Sequence, residues 1–205
     1  MPTFAIALMG FIAFSGGPIA PPVEVPTTLA SREAADLKAI ALKDEARIVR
    51  SEDSSPIVVK LTSYNAVPEQ TDGNPHVTAS GASSNPEVVA ARSVDLAGTL
   101  PFGTIVSITR DQDDSETCRF KAVEELVGYR VIADSMHSRK RAQVDVLLNQ
   151  EDTVSVHGKE TNPSIALGLC SGVTVKVIGK MKISDIPETQ EELRRIVEGN
   201  SFAMR

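Results

Sequence analysis

Ile132–Val146 reads IADSMHSRKRAQVDV. Two apolar, strand-like ends are joined by a loop carrying Arg139, Lys140 and Arg141, and each rim holds an aspartate, Asp134 and Asp145, 11 residues apart. Two carboxyl groups crowded into a partly dry cleft do not both ionise easily, because burial and mutual repulsion each favour the neutral form. A carboxyl left protonated near neutral pH is a general acid, able to protonate a leaving oxygen. The competing expectation is structural, since aspartates at strand ends often cap turns through Asx hydrogen bonds. The basic run is either a solvated loop or a contact for the carboxylates of a partner. Other chemistry is scarce. No nucleophile elbow, phosphate-binding loop or dinucleotide fingerprint occurs. His76, His137 and His157 lie apart and, with two cysteines, show no metal-ligand spacing, so no metal and no cofactor is expected.

The elements that must position these aspartates are short and β-branched. IVVKLTSY, EVVAA, GTIVSIT, YRVIA, VDVLL and VTVKVIG follow one another from Ile57 onward, separated by Gly, Pro, Asn and Asp. Such spacing predicts a mainly β barrel or sandwich. A short helix is expected over Pro163–Leu169, begun by Asn162 and ended near Gly172. A terminal helix is expected over Ser184–Glu198, with Pro187 in its first turn and Gly199 after its end. A strand is expected around Phe120. Ser31–Arg50 mixes apolar Ala34, Leu37, Ile40, Ala41, Ala46 and Ile48 with charges, which predicts a further helix, and Ser51–Pro56 breaks it.

The chain has 205 residues and 41% hydrophobic content, enough for one core with extensions, and its aromatic content of 4% leaves that core to Val, Ile, Leu and Ala. A net charge of −6 argues against nucleic acid as a partner. Phe4–Phe14 reads FAIALMGFIAF. It is too short for a membrane span and suits the apolar region of a secretory signal, although no Lys or Arg precedes it; a hydrophobic tail docked on the domain is the alternative. Export is therefore expected, to the cell envelope, periplasm or exterior, with a membrane contact only through this segment. The expected organisation is a signal-like or anchoring segment at 1–20, a Pro-rich linker and helix at 21–56, the β domain at 57–181, and a helix and tail at 182–205. The oligomeric state is not legible.

Three strings, YNAVPEQTDGNPHVTASG (Tyr64–Gly81), LPFGT (Leu100–Thr104) and ADSMHSRKRAQVD (Ala133–Asp145), together resemble the three-aspartate (3D) domain. That family is a small six-stranded double-psi β-barrel of cell-wall lytic transglycosylases, related to the rare-lipoprotein-A-like barrels. The resemblance covers about Ile57 to Met181. It implies that side chains at strand ends point into one barrel mouth and that Asp145 is the acid/base. Asp134 and Asp95 (SVDL) would tune and orient it; Arg92 stands at the alternative place for the first aspartate. Ser135-Met136-His137 replaces the Gly-Gly that often follows the second.

The implied activity is cleavage of the MurNAc–GlcNAc bond of peptidoglycan glycan strands, giving 1,6-anhydro-muramyl products. Tyr64, Asn65, Thr78 and Ser80 would line the cleft, with His137 and Arg139 touching substrate; Tyr64 closing the core and Thr78 as a plain strand residue are the alternatives. A non-catalytic glycan-binding or wall-loosening barrel is the competing function, and an interaction domain carried on the Ser31–Arg50 helix a third. Cys118 and Cys170 are expected as free thiols, since nothing in the sequence brings their segments within about 7 Å.

Overall fold

The structure, a computed structural model, describes residues 48–50, 55–68 and 74–202. Nine strands are found among them: β1 Val49–Arg50, β2 Ile57–Tyr64, β3 Val89–Arg92, β4 Thr104–Thr109, β5 Tyr129–Ser135, β6 Gln143–Leu147, β7 Val154–Val156, β8 Lys159–Thr161 and β9 Cys170–Lys180. Three helices accompany them: α1 Phe120–Val127, α2 Pro163–Leu167 and α3 Gln190–Phe202. Hydrogen-bonded neighbours run β9-β2-β6-β3-β5-β4, and β4 pairs back onto β9, so six strands close into a barrel. The pairs β2–β6 and β3–β5 are parallel, and the other barrel pairs are antiparallel. This mixed, closed arrangement is compatible with a double-psi barrel. β1 adds to the β9 edge, and β7–β8 form a separate hairpin.

Period-two alternation sorts the side chains of these strands into two cores. Val59 and Leu61 of β2, Ala90 of β3, Val106 and Ile108 of β4, Ile132 of β5, Val144 and Val146 of β6, and Val173 and Val175 of β9 share one buried cluster. Contributions from all six strands make this the barrel interior. Phe120, Val123 and Val127 of α1 and Leu167 of α2 join the same cluster. The second cluster lies on the outer face: Val89, Ile105, Val131, Ala133 and Leu147 pack against Leu193, Ile196 and Val197 of α3.

Arg130 fastens three elements together. Fully buried, it donates to the carbonyls of Leu126 and Val127 at the end of α1, of Pro86 in the turn ahead of β3 and Val89 at its start, and of Leu147 at the end of β6. Burial lowers its pKa to about 9, which leaves the guanidinium charged at neutral pH. The carbonyl oxygens replace the water it has lost.

All six barrel strands fall on the six apolar runs read from the sequence. The helices differ more. The expected strand at Phe120 is helix α1: Phe120, Val123 and Val127 recur at helical spacing and bury one face. The Pro163 helix starts on its expected cap, with the Asn162 side chain accepting from Ser164 N–H, and stops earlier, at Gly168. The terminal helix starts later, at Gln190, after a single 3-10 turn at Ile183–Asp185, and runs through Gly199. Of the Ser31–Arg50 helix all but the last three residues lie outside the described residues, and Val49–Arg50 is strand, hydrogen-bonded to β9. Phe4–Phe14 also lies outside them.

The free-thiol expectation is overturned. Cys118 and Cys170 form a disulfide with Cα atoms 4.7 Å apart. A non-local backbone bridge draws the segments together: Cys118 pairs with Gly168, Leu169 N–H donates to Thr117 O (2.9 Å), and Arg119 N–H donates to Leu167 O (3.2 Å). Gly168 permits that approach. Its φ is +64°, and a Cβ there would stand 2.5 Å from Thr117 O.

Candidate active site

The site begins with Ala91. In register, Ala91 of β3 faces Asp134 on one side and Asp145 on the other. Thr62 of β2 lies beyond Asp145 in the same row. Register partners share a face, so two carboxyls meet over one small methyl group. A β-bulge makes this possible: between Ala90 and Ala91 the pairing skips a residue of β5, so that Ile132 faces Ala90 and Asp134 faces Ala91. Without the extra residue, alternation would turn Asp134 to the other face.

That face is the outside of the barrel. Asp145 sits between Val144 and Val146, both fully buried in the interior, so its own side chain points outward. The expectation of carboxylates aimed into a barrel mouth is corrected accordingly: valines occupy the inward positions.

The two carboxyls have different surroundings. Asp134 Oδ1 accepts from Ala79 N–H (2.9 Å) and Ser135 N–H (2.8 Å), and its Oδ2 accepts from the Tyr64 hydroxyl (2.8 Å). Asp145 Oδ1 accepts from the Thr62 hydroxyl at 2.8 Å. Burial raises the Asp145 pKa to about 6; the Thr62 hydrogen bond and the Lys140 charge oppose the rise, and Asp134 adds to it. The Tyr64 hydroxyl is raised far above its usual value, first by burial and then by Asp134, so it stays a neutral donor.

Asp95 is not in this row. Its Oδ2 accepts from Ala142 N–H at 2.9 Å, and hydrogen bonds from Ser93 and Ala142 hold its pKa below the usual carboxylate value. It fixes the turn that enters β6, where Ala142 has a φ of +46°. Arg92, at the alternative position, is buried at the end of β3. It donates to Leu100 O (3.0 Å) and to Ser135 Oγ (3.4 Å), and its guanidinium lies 4.9 Å from the Phe102 ring centre.

The remaining expected residues divide. Ser80 and Thr78 lie in a tight turn against β5, where Ser80 N–H donates to Ala133 O. Thr78 is buried, with its hydroxyl shared between Ser80 Oγ and Ala82 O; the backbone N–H of Ala79, between them, is the group that reaches Asp134. Asn65 is buried and ties Leu148 O to the end of β2. His137 and Arg139 are exposed and bonded to each other, Arg139 N–H donating to His137 Nδ1 (3.2 Å). Sequence reasoning missed Thr62 and Gln143, and it read Lys140 only as part of the basic loop, not as a charge acting on Asp145. Thr62 and Gln143 each stand two residues from a chosen residue, Tyr64 and Asp145, and same-face spacing on a strand was the available signal.

The chain matches no protein-family model, no curated protein and no solved structure. What fold and site define together is a class: a closed six-stranded mixed β-barrel carrying an unequal carboxyl pair on its outer wall.

Proposed function

We propose that this barrel is a double-psi barrel of the three-aspartate kind and acts as a lytic transglycosylase on peptidoglycan glycan strands. One observation carries the reading. Two carboxyls share one face across Ala91; one accepts three hydrogen bonds, and the other is held at a pKa of about 6 by burial. A buried carboxyl that keeps its proton near neutral pH is suited to act as a general acid.

In the proposed step, Asp145 gives its proton to the glycosidic oxygen of a MurNAc–GlcNAc linkage and the C1–O bond breaks. The resulting carboxylate then takes the proton of the muramic acid's own C6 hydroxyl as that oxygen bonds to C1. A 1,6-anhydro ring forms, no water is consumed, and Asp145 recovers its proton. Asp134, Tyr64 and the Ala79 turn hold the sugar side of the cleft. The Cys118–Cys170 disulfide supports export, because such bonds persist in oxidising compartments.

Digestion of purified glycan strands tests the proposal. Anhydro-muropeptides absent from an Asp145→Asn control are the expected products. Capture of the strands without products would replace the enzyme reading with a glycan-binding module.

A further inference from the structure

Asp145 Oδ1 is the end of a hydrogen-bond chain that begins at a residue with no assigned role. Gln143 Nε2 donates to Thr62 Oγ1 at 2.7 Å, and Thr62 Oγ1 donates to Asp145 Oδ1 at 2.8 Å. The direction follows from the groups themselves. An amide NH2 is only a donor, so Thr62 must accept from it, and the single hydroxyl hydrogen is then aimed at Asp145.

The start of the chain is firmly held. Gln143 is buried; its N–H donates to Ser93 Oγ (3.1 Å) and its carbonyl accepts from Ser93 N–H (2.9 Å). Ser93 is fully buried. One residue earlier, Ala142 is fixed on both sides: its N–H donates to Asp95, and its carbonyl accepts from Lys60 N–H. Asp95, expected as the first of the three aspartates, thereby acts at a distance, by locking the entry to β6 that sets where Gln143 stands.

We propose that Gln143 is a positioning residue: acting through Thr62, it commits Oδ1 of Asp145 to accepting a hydrogen bond and leaves Oδ2 as the oxygen that carries the transferable proton. A carboxyl held in this way presents its proton in one direction, which is what protonation of a leaving oxygen in a fixed cleft requires. This role rests on the acid/base reading of Asp145, but its physical content is measurable without substrate.

The test is a carboxyl-carbon NMR titration of the full chain, with the Asp145 resonance identified by its loss in Asp145→Asn. Asp134, Tyr64 and Lys140 are the other titratable groups acting on that carboxyl, and they stay unchanged. Thr62→Val removes the donor to the carboxylate and should raise the midpoint by roughly one pH unit. Thr62→Ser should restore it. Gln143→Leu should shift it in the same direction by less, and should add nothing in the Thr62→Val background, because its influence passes through Thr62.

An unchanged midpoint in Thr62→Val, no restoration by serine, or additive shifts in the double variant would each overturn the proposal. If Thr62→Val does not fold, Gln143→Leu alone decides, by shifting the midpoint upward or leaving it in place. Glycan digestion by the same samples separates the two questions: expected titrations without anhydro products would sink the enzyme reading and keep the relay.

Discussion

At the residue scale, Asp145 carries the functional and the energetic argument together. Asp145→Asn keeps the shape and loses the proton, so turnover should fall by roughly 10²–10⁴-fold while the fold persists; undiminished activity would remove Asp145 from the acid/base role. The raised pKa also sets a sign for stability. In the unfolded chain an aspartate titrates at about 3.9, and in the fold burial raises this one to about 6. Between those values the native state binds the extra proton, so stability falls as pH rises through the interval and stays lower above it. At pH 7, Asp145→Asn should therefore be more stable than the parent by on the order of 1–3 kcal/mol, with little difference at pH 4. Urea unfolding at the two pH values measures this, and an equal difference at both would mean that Asp145 titrates normally. Of the site, the types and spacing of Asp134 and Asp145 were legible. Thr62 and Gln143 were not, because a Thr or Gln in a strand is unremarkable until register places it beside a carboxyl.

At the element scale, the closing features are non-local. The disulfide joins Cys118, two residues before α1, to the first residue of β9 across 52 positions. Removing it with Cys118→Ala and Cys170→Ala should cost about 2–5 kcal/mol in denaturant unfolding. Unfolded, unreduced protein should show no reactive thiol on titration; two reactive groups would contradict the bridge. Helix α1 was misread as strand for a related reason. Phe120, Val123 and Val127 pack against the barrel interior, and a short segment's period is ambiguous until its partner surface is known. The strands were easier, since each carries its alternation within itself.

At the scale of the whole molecule, the export that the enzyme proposal requires can be tested directly on the apolar Phe4–Phe14 segment. If Phe4–Phe14 is a cleaved signal, the mature chain should begin between about Gly16 and Val25; an uncleaved chain should remain with the envelope as an anchored form. Intact mass of protein recovered from an envelope fraction reads either result. Full-length protein confined to the cytosol would separate the chain from peptidoglycan and end the enzyme proposal.

The sequence by itself determined where the six barrel strands run, which residues alternate along them, and that two aspartates stand 11 positions apart on either side of a basic loop. These are local properties, written in a period of two and in turn residues. Only the tertiary structure decided that Asp145 stands in the middle of β6 rather than at its end, that the carboxyls face outward, that a bulge in β5 brings Asp134 level with Asp145, that Asp95 braces a turn, and that Cys118 meets Cys170. Each depends on register or closure between distant segments, and a one-residue slip reverses the face of every side chain along a strand.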